Sequence, residues 1–311
     1  MEYGAHLPLV DLDDRGWTLS GLTSYARTAQ QLGFRALVAN DHLAFQRPWL
    51  DGLVALASVV EASGDLTLAT TVALPVVRGP AALSKAAAAL DVLSGGRFVL
   101  GMGPGSSVAD LSLAGVDIGE RWPRFEEAVR AVRVHLGAQG WPEPDGRFYP
   151  GAEALSPGPM RPGGPPVWIG SWGSPAGLRR VVRLGDGWLA SAYNTTPPQV
   201  AAGRTTLYDA LAAQPGRTLT CAVATMWTWV TEDERDRAEV LARLSRLLNR
   251  PEEELGPRLL VGSVETCAEL ARAYADAGVD LLLVWPLADH ERQLELLMRE
   301  VVPLVRPAGD E

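Results

Sequence analysis

Short runs of apolar and β-branched residues alternate with longer helical patterns along this chain, and that alternation restricts its fold more than any other feature. Strands that return parallel to their neighbours need a crossover helix between them, so repeated βα units dictate a parallel sheet. The strand runs are Tyr3–Leu9, Phe34–Ala39, Leu66–Val72, Arg97–Leu100, Val167–Gly170, Asp186–Ser191, Leu219–Val230 and Val279–Trp285. Helical patterns fall at Trp17–Leu32, Leu50–Ser63, Ala81–Leu93, Arg121–Leu136, Ser174–Leu184, Pro198–Ala213, Val264–Ala277 and His290–Val305, with a polar helical stretch at Thr231–Leu255. Eight such repeats favour closure into a single α/β barrel, the (β/α)8 TIM barrel, as one domain over residues 1–311. Two tandem dinucleotide-binding halves would need a glycine-rich fingerprint after the first strand, and His6-Leu7-Pro8-Leu9-Val10 offers none.

Residues 140–166 break the rhythm. They are dense in proline and glycine and read as an insertion with at most a short hairpin.

Composition narrows the function. The two cysteines, Cys221 and Cys267, form no CxxC or CxxH pattern, which argues against a disulfide framework and a structural zinc site. No His and carboxylate set has metal-ligand spacing, so no metal is expected. A net charge of −9 without a basic stripe argues against nucleic acid as a partner. No apolar run approaches membrane-spanning length and no basic-then-apolar leader opens the chain, so it reads as a soluble cytoplasmic protein. The single lysine, Lys85, lies in an alanine-rich helical run and reads as a solvated surface residue.

In a barrel of this kind the chemistry gathers where the strands end. The second strand ends in Asn40-Asp41-His42, and His42 is the leading catalytic candidate, with Asp41 expected to orient its imidazole. His6 reads equally as a group at the barrel mouth or a satisfied core histidine. His135 and His290 read as structural or solvated. The fourth strand runs into Gly101–Ser107, which contains Gly103, Gly105 and Ser106, and no lysine makes it a Walker loop. The fifth strand runs into Trp172-Gly173-Ser174-Pro175. A hydroxyl cap followed by proline builds a helix start that can hold phosphate, although an ordinary capped helix has the same sequence. Trp172 and Trp49 are the tryptophans expected at the pocket, where they would suit a flat ring.

Several segments together resemble the bacterial luciferase-like monooxygenase superfamily, which includes the F420-dependent dehydrogenases and reductases. They are Gly33-Phe34 through Asn40-Asp41-His42, Thr70-Thr71-Val72, Leu90–Arg97 leading into Gly101–Gly105, Glu120–Glu127, Pro166–Gly170 and Gly185–Trp188. The resemblance implies a (β/α)8 barrel with an insertion near the fifth strand. It also implies that His42 and Asp41 lie beside a flavin or deazaflavin ring. By the same resemblance Thr71-Val72 would form a non-proline cis bulge behind the ring, and Gly173 and Ser174 would hold the phosphate. The F420-dependent sugar-phosphate dehydrogenases carry a tryptophan and a glutamate where this chain has Gln46 and Ser106, which argues against that reaction. No lysine cluster is there to hold a phosphorylated substrate, so an uncharged or apolar one is expected, with Arg47 and Arg78 leaving a charged one open. Coenzyme F420 with hydride transfer is the leading expectation. FMN with oxygen chemistry and a separate flavin reductase is the alternative, and a non-catalytic flavin-binding barrel is a third class. Relatives of this kind often pair as homodimers, for which Leu50–Val60 and Ala81–Leu90 offer small apolar faces.

Overall fold

A parallel strand satisfies its backbone only through a neighbour on each side, and eight strands do so here by closing into a ring. The computed structural model describes residues 1–305 except 152, 213 and 215. Its first half contains β1 (Glu2–His6), α1 (Leu19–Gln31), β2 (Ala36–Ala39), α2 (Gly52–Ser58), β3 (Thr67–Thr70), α3 (Pro75–Arg78), α4 (Pro80–Leu93), β4 (Phe98–Met102), α5 (Val108–Leu113) and α6 (Arg121–His135). The second half contains β5 (Val167–Gly170), α7 (Pro175–Leu184), β6 (Gly187–Ser191), α8 (Pro197–Leu211), β7 (Thr220–Val230), α9 (Glu234–Leu248), α10 (Glu252–Leu255), β8 (Leu260–Gly262), α11 (Val264–Asp276), β9 (Leu281–Pro286), α12 (His290–Leu296) and α13 (Val302–Val305). Strands β1 to β6 pair in sequence, β6 pairs with β7, β7 with β9, and β9 with β1, all parallel. The barrel is the one expected from the alternation.

Two details differ from the sequence reading. The strand that closes the ring is β9, and the short β8 pairs only with the far end of β7, Thr228–Val230. Three residues carry too little pattern to register as a strand beside helical neighbours. The polar stretch at 231–255 splits into α9 and α10 because Asn249 ends α9 in a left-handed conformation (φ 50°) and Pro251 follows. The expected helix end at Ala213 lies outside the described residues.

Alternation along the strands separates two cores. Ala36, Val38, Ala69, Val99, Trp168, Leu189, Ala222, Ala224, Leu281 and Leu283 fill the barrel interior, while the opposite faces pack against the helices. The residues between α6 and β5 contain no strand among those described. They are pinned instead by buried carboxylates. Glu127 accepts from the N–H groups of Phe148 and Tyr149, and Asp91 takes Arg161 at 2.9 Å. His135 is structural, with Nδ1 donating to Glu153 O at 2.8 Å. Lys85 bonds the carbonyl of Ser156 at the surface. Among the described residues no helix is long and apolar enough to cross a membrane.

Candidate active site

The ends of β2 to β7 surround a cavity of about 270 Å3, closed on one side by the start of α6. Of the residues singled out from sequence, Asp41, His42, Thr71, Val72, Gly103, Gly105, Ser106, Trp172 and Ser174 line it. Gly173 is not a lining residue, but with φ 82° it makes the turn that places Ser174. Trp49, expected at the pocket, is not a lining residue; it meets the His42 ring edge-on at 4.7 Å.

The Asn-Asp-His triplet does three separate jobs. Asp41 was expected to orient the imidazole, and the structure corrects this: Asp41 instead grips Arg78 with both oxygens at 2.7 Å and also accepts the Leu74 N–H. Arg78 in turn reaches Asp51, which caps α2. Successive residues leaving a strand point to opposite sides, so adjacent Asp41 and His42 find different partners. The partner of His42 is Asp110 on α5, at 2.7 Å from Nδ1. The same carboxylate accepts the N–H groups of Leu43 and Ala44, both at 2.8 Å. Burial alone would raise the Asp110 pKa, but these bonds from His42, Ala44 and Leu43 outweigh it and hold the carboxyl below its usual range. An ionised carboxylate accepts, so Nδ1 is the donor and Nε2 is the nitrogen left for other chemistry.

The opposite side of the site is made by glycine. The peptide between Thr71 and Val72 is cis, as the resemblance implied. A Cβ on Gly103 would come within 2.6 Å of Val72 Cγ2, and one on Gly170 within 3.1 Å of Cγ1, so these glycines give the valine its place in the cavity wall. Beside it, Asn40 Oδ1 and Thr71 Oγ1 are buried and make no hydrogen bond among the described residues. Orphaned polar atoms in an otherwise apolar wall call for a ligand with polar edge groups.

At the third corner, Ser174 Oγ caps α7 by accepting the Gly177 N–H, with Pro175 in the first turn. Gly177 is itself required: a Cβ there would lie 2.2 Å from Ser171 Oγ. The outcome is a helix start that opens on the cavity with its dipole positive.

His6 proves to be a core residue. Its Nδ1 donates to Leu7 O at 2.7 Å, Nε2 accepts the Asn40 N–H at 3.2 Å, and the ring stacks on Trp285 at 3.6 Å. Burial outweighs those bonds and lowers its pKa to about 3, so the ring is neutral.

Apolar wall residues, buried polar atoms without partners and the start of α7 thus meet in one barrel mouth. The sequence pattern of the luciferase-like monooxygenases matches residues 10–255. The chain belongs to that family. Among luciferase-like proteins, it is 27% identical to the F420-dependent glucose-6-phosphate dehydrogenase of Kribbella flavida, over 93% of this chain and 95% of that one. Its fold superposes on the monooxygenase RslO1 from Streptomyces bottropensis with a TM-score of 0.82 at 19% identity, covering 97% and 99% of the two chains. An F420-dependent secondary alcohol dehydrogenase in complex with an F420-acetone adduct superposes at 0.78 with 15% identity, covering 98% and 99%.

Sequence reasoning missed several residues of this luciferase-like site. Asp110 follows Ser107 as Ser-x-x-Asp, the pattern of a helix start, and that pattern hides its second role. Arg121 and Trp122 from α6, and Ser191, Tyr193 and Thr225 from β6 and β7, also line the cavity with no local motif to mark them.

Proposed function

We propose that this protein is an oxidoreductase that uses reduced coenzyme F420 for hydride transfer to or from a small, uncharged organic substrate. The observation that carries the reading is the slot formed by Val72 between Gly103 and Gly170, with Asn40 Oδ1 and Thr71 Oγ1 unpaired at its edge. A deazaflavin or flavin ring is flat and apolar on its faces, with donors and acceptors along one edge, which matches this wall. Gly173, Ser174 and the start of α7 would hold its phosphate, and Gly105, Ser106 and Trp172 would border the chain between. Bound there, the cofactor supplies or accepts the hydride.

The chain's own groups handle the proton. Asp110 fixes the His42 tautomer, which leaves Nε2 to take a proton from a substrate hydroxyl or return one to a carbonyl oxygen. Asp41 acts at one remove, holding through Arg78 the turns that carry His42 and Val72. Leu74, Leu189, Ala190 and Ala224 give the cavity apolar walls that exclude water. The long curated relative named for F420 supports that cofactor. FMN with oxygen chemistry and a partner reductase is the second reading, favoured by the fold match to a monooxygenase. A homodimeric, cytoplasmic state belongs to the same proposal and is tested by gel filtration and fractionation.

The test is oxidation of reduced F420 by a panel of ketones and enones, with wild type beside His42→Ala. The proposal expects the variant to lose at least about tenfold in rate with its melting temperature unchanged. Activity within a factor of two of wild type would remove His42 from the role.

A further inference from the structure

The cavity wall across the barrel from His42 is polar, and neither the cofactor nor the proton step accounts for it. In a ring of eight strands β6 stands opposite β2, and the end of β6 places Ser191 and Tyr193 there, with Thr225 of β7 beside them. Thr225 has φ 57°, a left-handed conformation that a β-branched residue seldom adopts, at a register shift in β7 between Val223 and Met226. Bulges of this kind re-aim a side chain, and strain of this kind collects where a site needs it. The effect here is to bring Thr225 Oγ1 to 2.8 Å from Ser191 Oγ.

The protons of that pair are already committed. Thr225 Oγ1 donates to Ala224 O at 2.7 Å, so Ser191 donates to Thr225, and Ser191 accepts from Asn194 Nδ2 at 3.1 Å. Tyr193 stands within hydrogen-bond reach of both hydroxyls, and because their own protons are already donated it meets them only as a donor, with a cavity-side oxygen as the competing acceptor. Burial raises its pKa, more than the nearby Arg250 lowers it, so it remains a donor at neutral pH. Two cations clamp the same residue. Arg250 Nη1 and Arg258 Nη1 donate to Tyr193 O at 3.2 and 3.0 Å, and the Arg250 guanidinium lies 5.1 Å from the Tyr193 ring. Neither arginine takes part in an ion pair among the described residues. An O–H donor at the cavity wall with two guanidinium groups nearby favours an acceptor oxygen over a donor.

We propose that Tyr193 is a specificity-determining residue that donates a hydrogen bond to a carbonyl-type oxygen of the substrate, so that the protein selects carbonyl compounds over hydrocarbons of the same shape. This rests on the oxidoreductase reading only in taking the cavity to hold a substrate.

The test is equilibrium binding of cyclohexanone and of methylenecyclohexane, its oxygen-free counterpart, followed by tryptophan fluorescence in wild type and Tyr193→Phe. Wild type is expected to bind the ketone about tenfold more tightly, and the variant to lose that preference while its alkene affinity and melting temperature stay the same. F420 affinity is measured in parallel and is expected to be equal in both proteins. Absence of a ketone preference in wild type, or its survival in Tyr193→Phe, would overturn the proposal. Failure of F420 to bind while the preference holds would instead overturn the cofactor reading.

Discussion

His42 Nδ1 lies 2.7 Å from a carboxylate oxygen of Asp110, a residue 68 positions later in the chain, and this bond joins the turn after β2 to the helix after β4. Because Asp110 also accepts the N–H groups of Leu43 and Ala44, one carboxylate sets both the backbone path and the ring orientation of the candidate catalytic residue.

That arrangement makes the imidazole tautomer a measurable consequence. Nitrogen-15 spectra of the wild-type protein should show the Nδ1–H form of His42. In Asp110→Asn the fixed acceptor charge is gone, and a mixed or Nε2–H population is expected. An unchanged tautomer in the variant would separate Asp110 from the imidazole.

Asp41 and Arg78 predict a stability effect. Asp41 is buried and its partner is four-fifths buried, so removing the guanidinium leaves a carboxylate without its countercharge. Arg78→Met should lower the unfolding free energy by about 3 kcal/mol in a urea titration. A loss below about 0.5 kcal/mol would mark the pair as a solvent-screened contact.

Gly103 offers a steric probe of the ring slot. In Gly103→Ala the new methyl meets Val72 Cγ2 at 2.6 Å, and the valine side chain must move into the cavity or the strand end must shift. Cofactor affinity should fall by at least tenfold, read by fluorescence titration, while far-ultraviolet circular dichroism stays native. Unchanged affinity would mean the ring does not lie against Val72.

His6 predicts how the barrel responds to acid. Its folded pKa, about 3, lies below the ordinary histidine value, so between those pH values the unfolded chain binds a proton that the folded one refuses. Stability therefore falls as pH drops from about 6.5 towards 3, with no contribution above that window. Denaturant midpoints of wild type should decline more steeply across this range than those of His6→Gln. Parallel declines would show that His6 takes its proton without unfolding.

The sequence was most legible where a pattern is local. Strand and helix alternation, Ser174-Pro175 at a helix start and Gly173 before it follow from neighbours within a few residues, and the barrel and the α7 cap appear where those signals lie. The placement of Thr71-Val72 came from family resemblance, since no propensity marks a non-proline cis peptide. Pairings that cross the barrel left no trace. Asp41 beside His42 in sequence suggested a dyad, but leaving a strand they diverge, and their partners come from α3 and α5. Tyr193 and Thr225 escaped for the same reason, because only ring closure between β6 and β7 brings them together.

In the proposed function this barrel mouth seats a phosphate-bearing deazaflavin, with its ring against Val72 and its phosphate at Ser174. The most direct measurement is equilibrium titration of the purified protein with F420, with the same deazaflavin lacking its phosphate, and with FMN. On that reading F420 is expected to bind at about micromolar affinity or tighter, at least about tenfold more weakly without its phosphate, and FMN more weakly than F420. Tight FMN binding with oxygen uptake on reduction, and no affinity for F420, would contradict it.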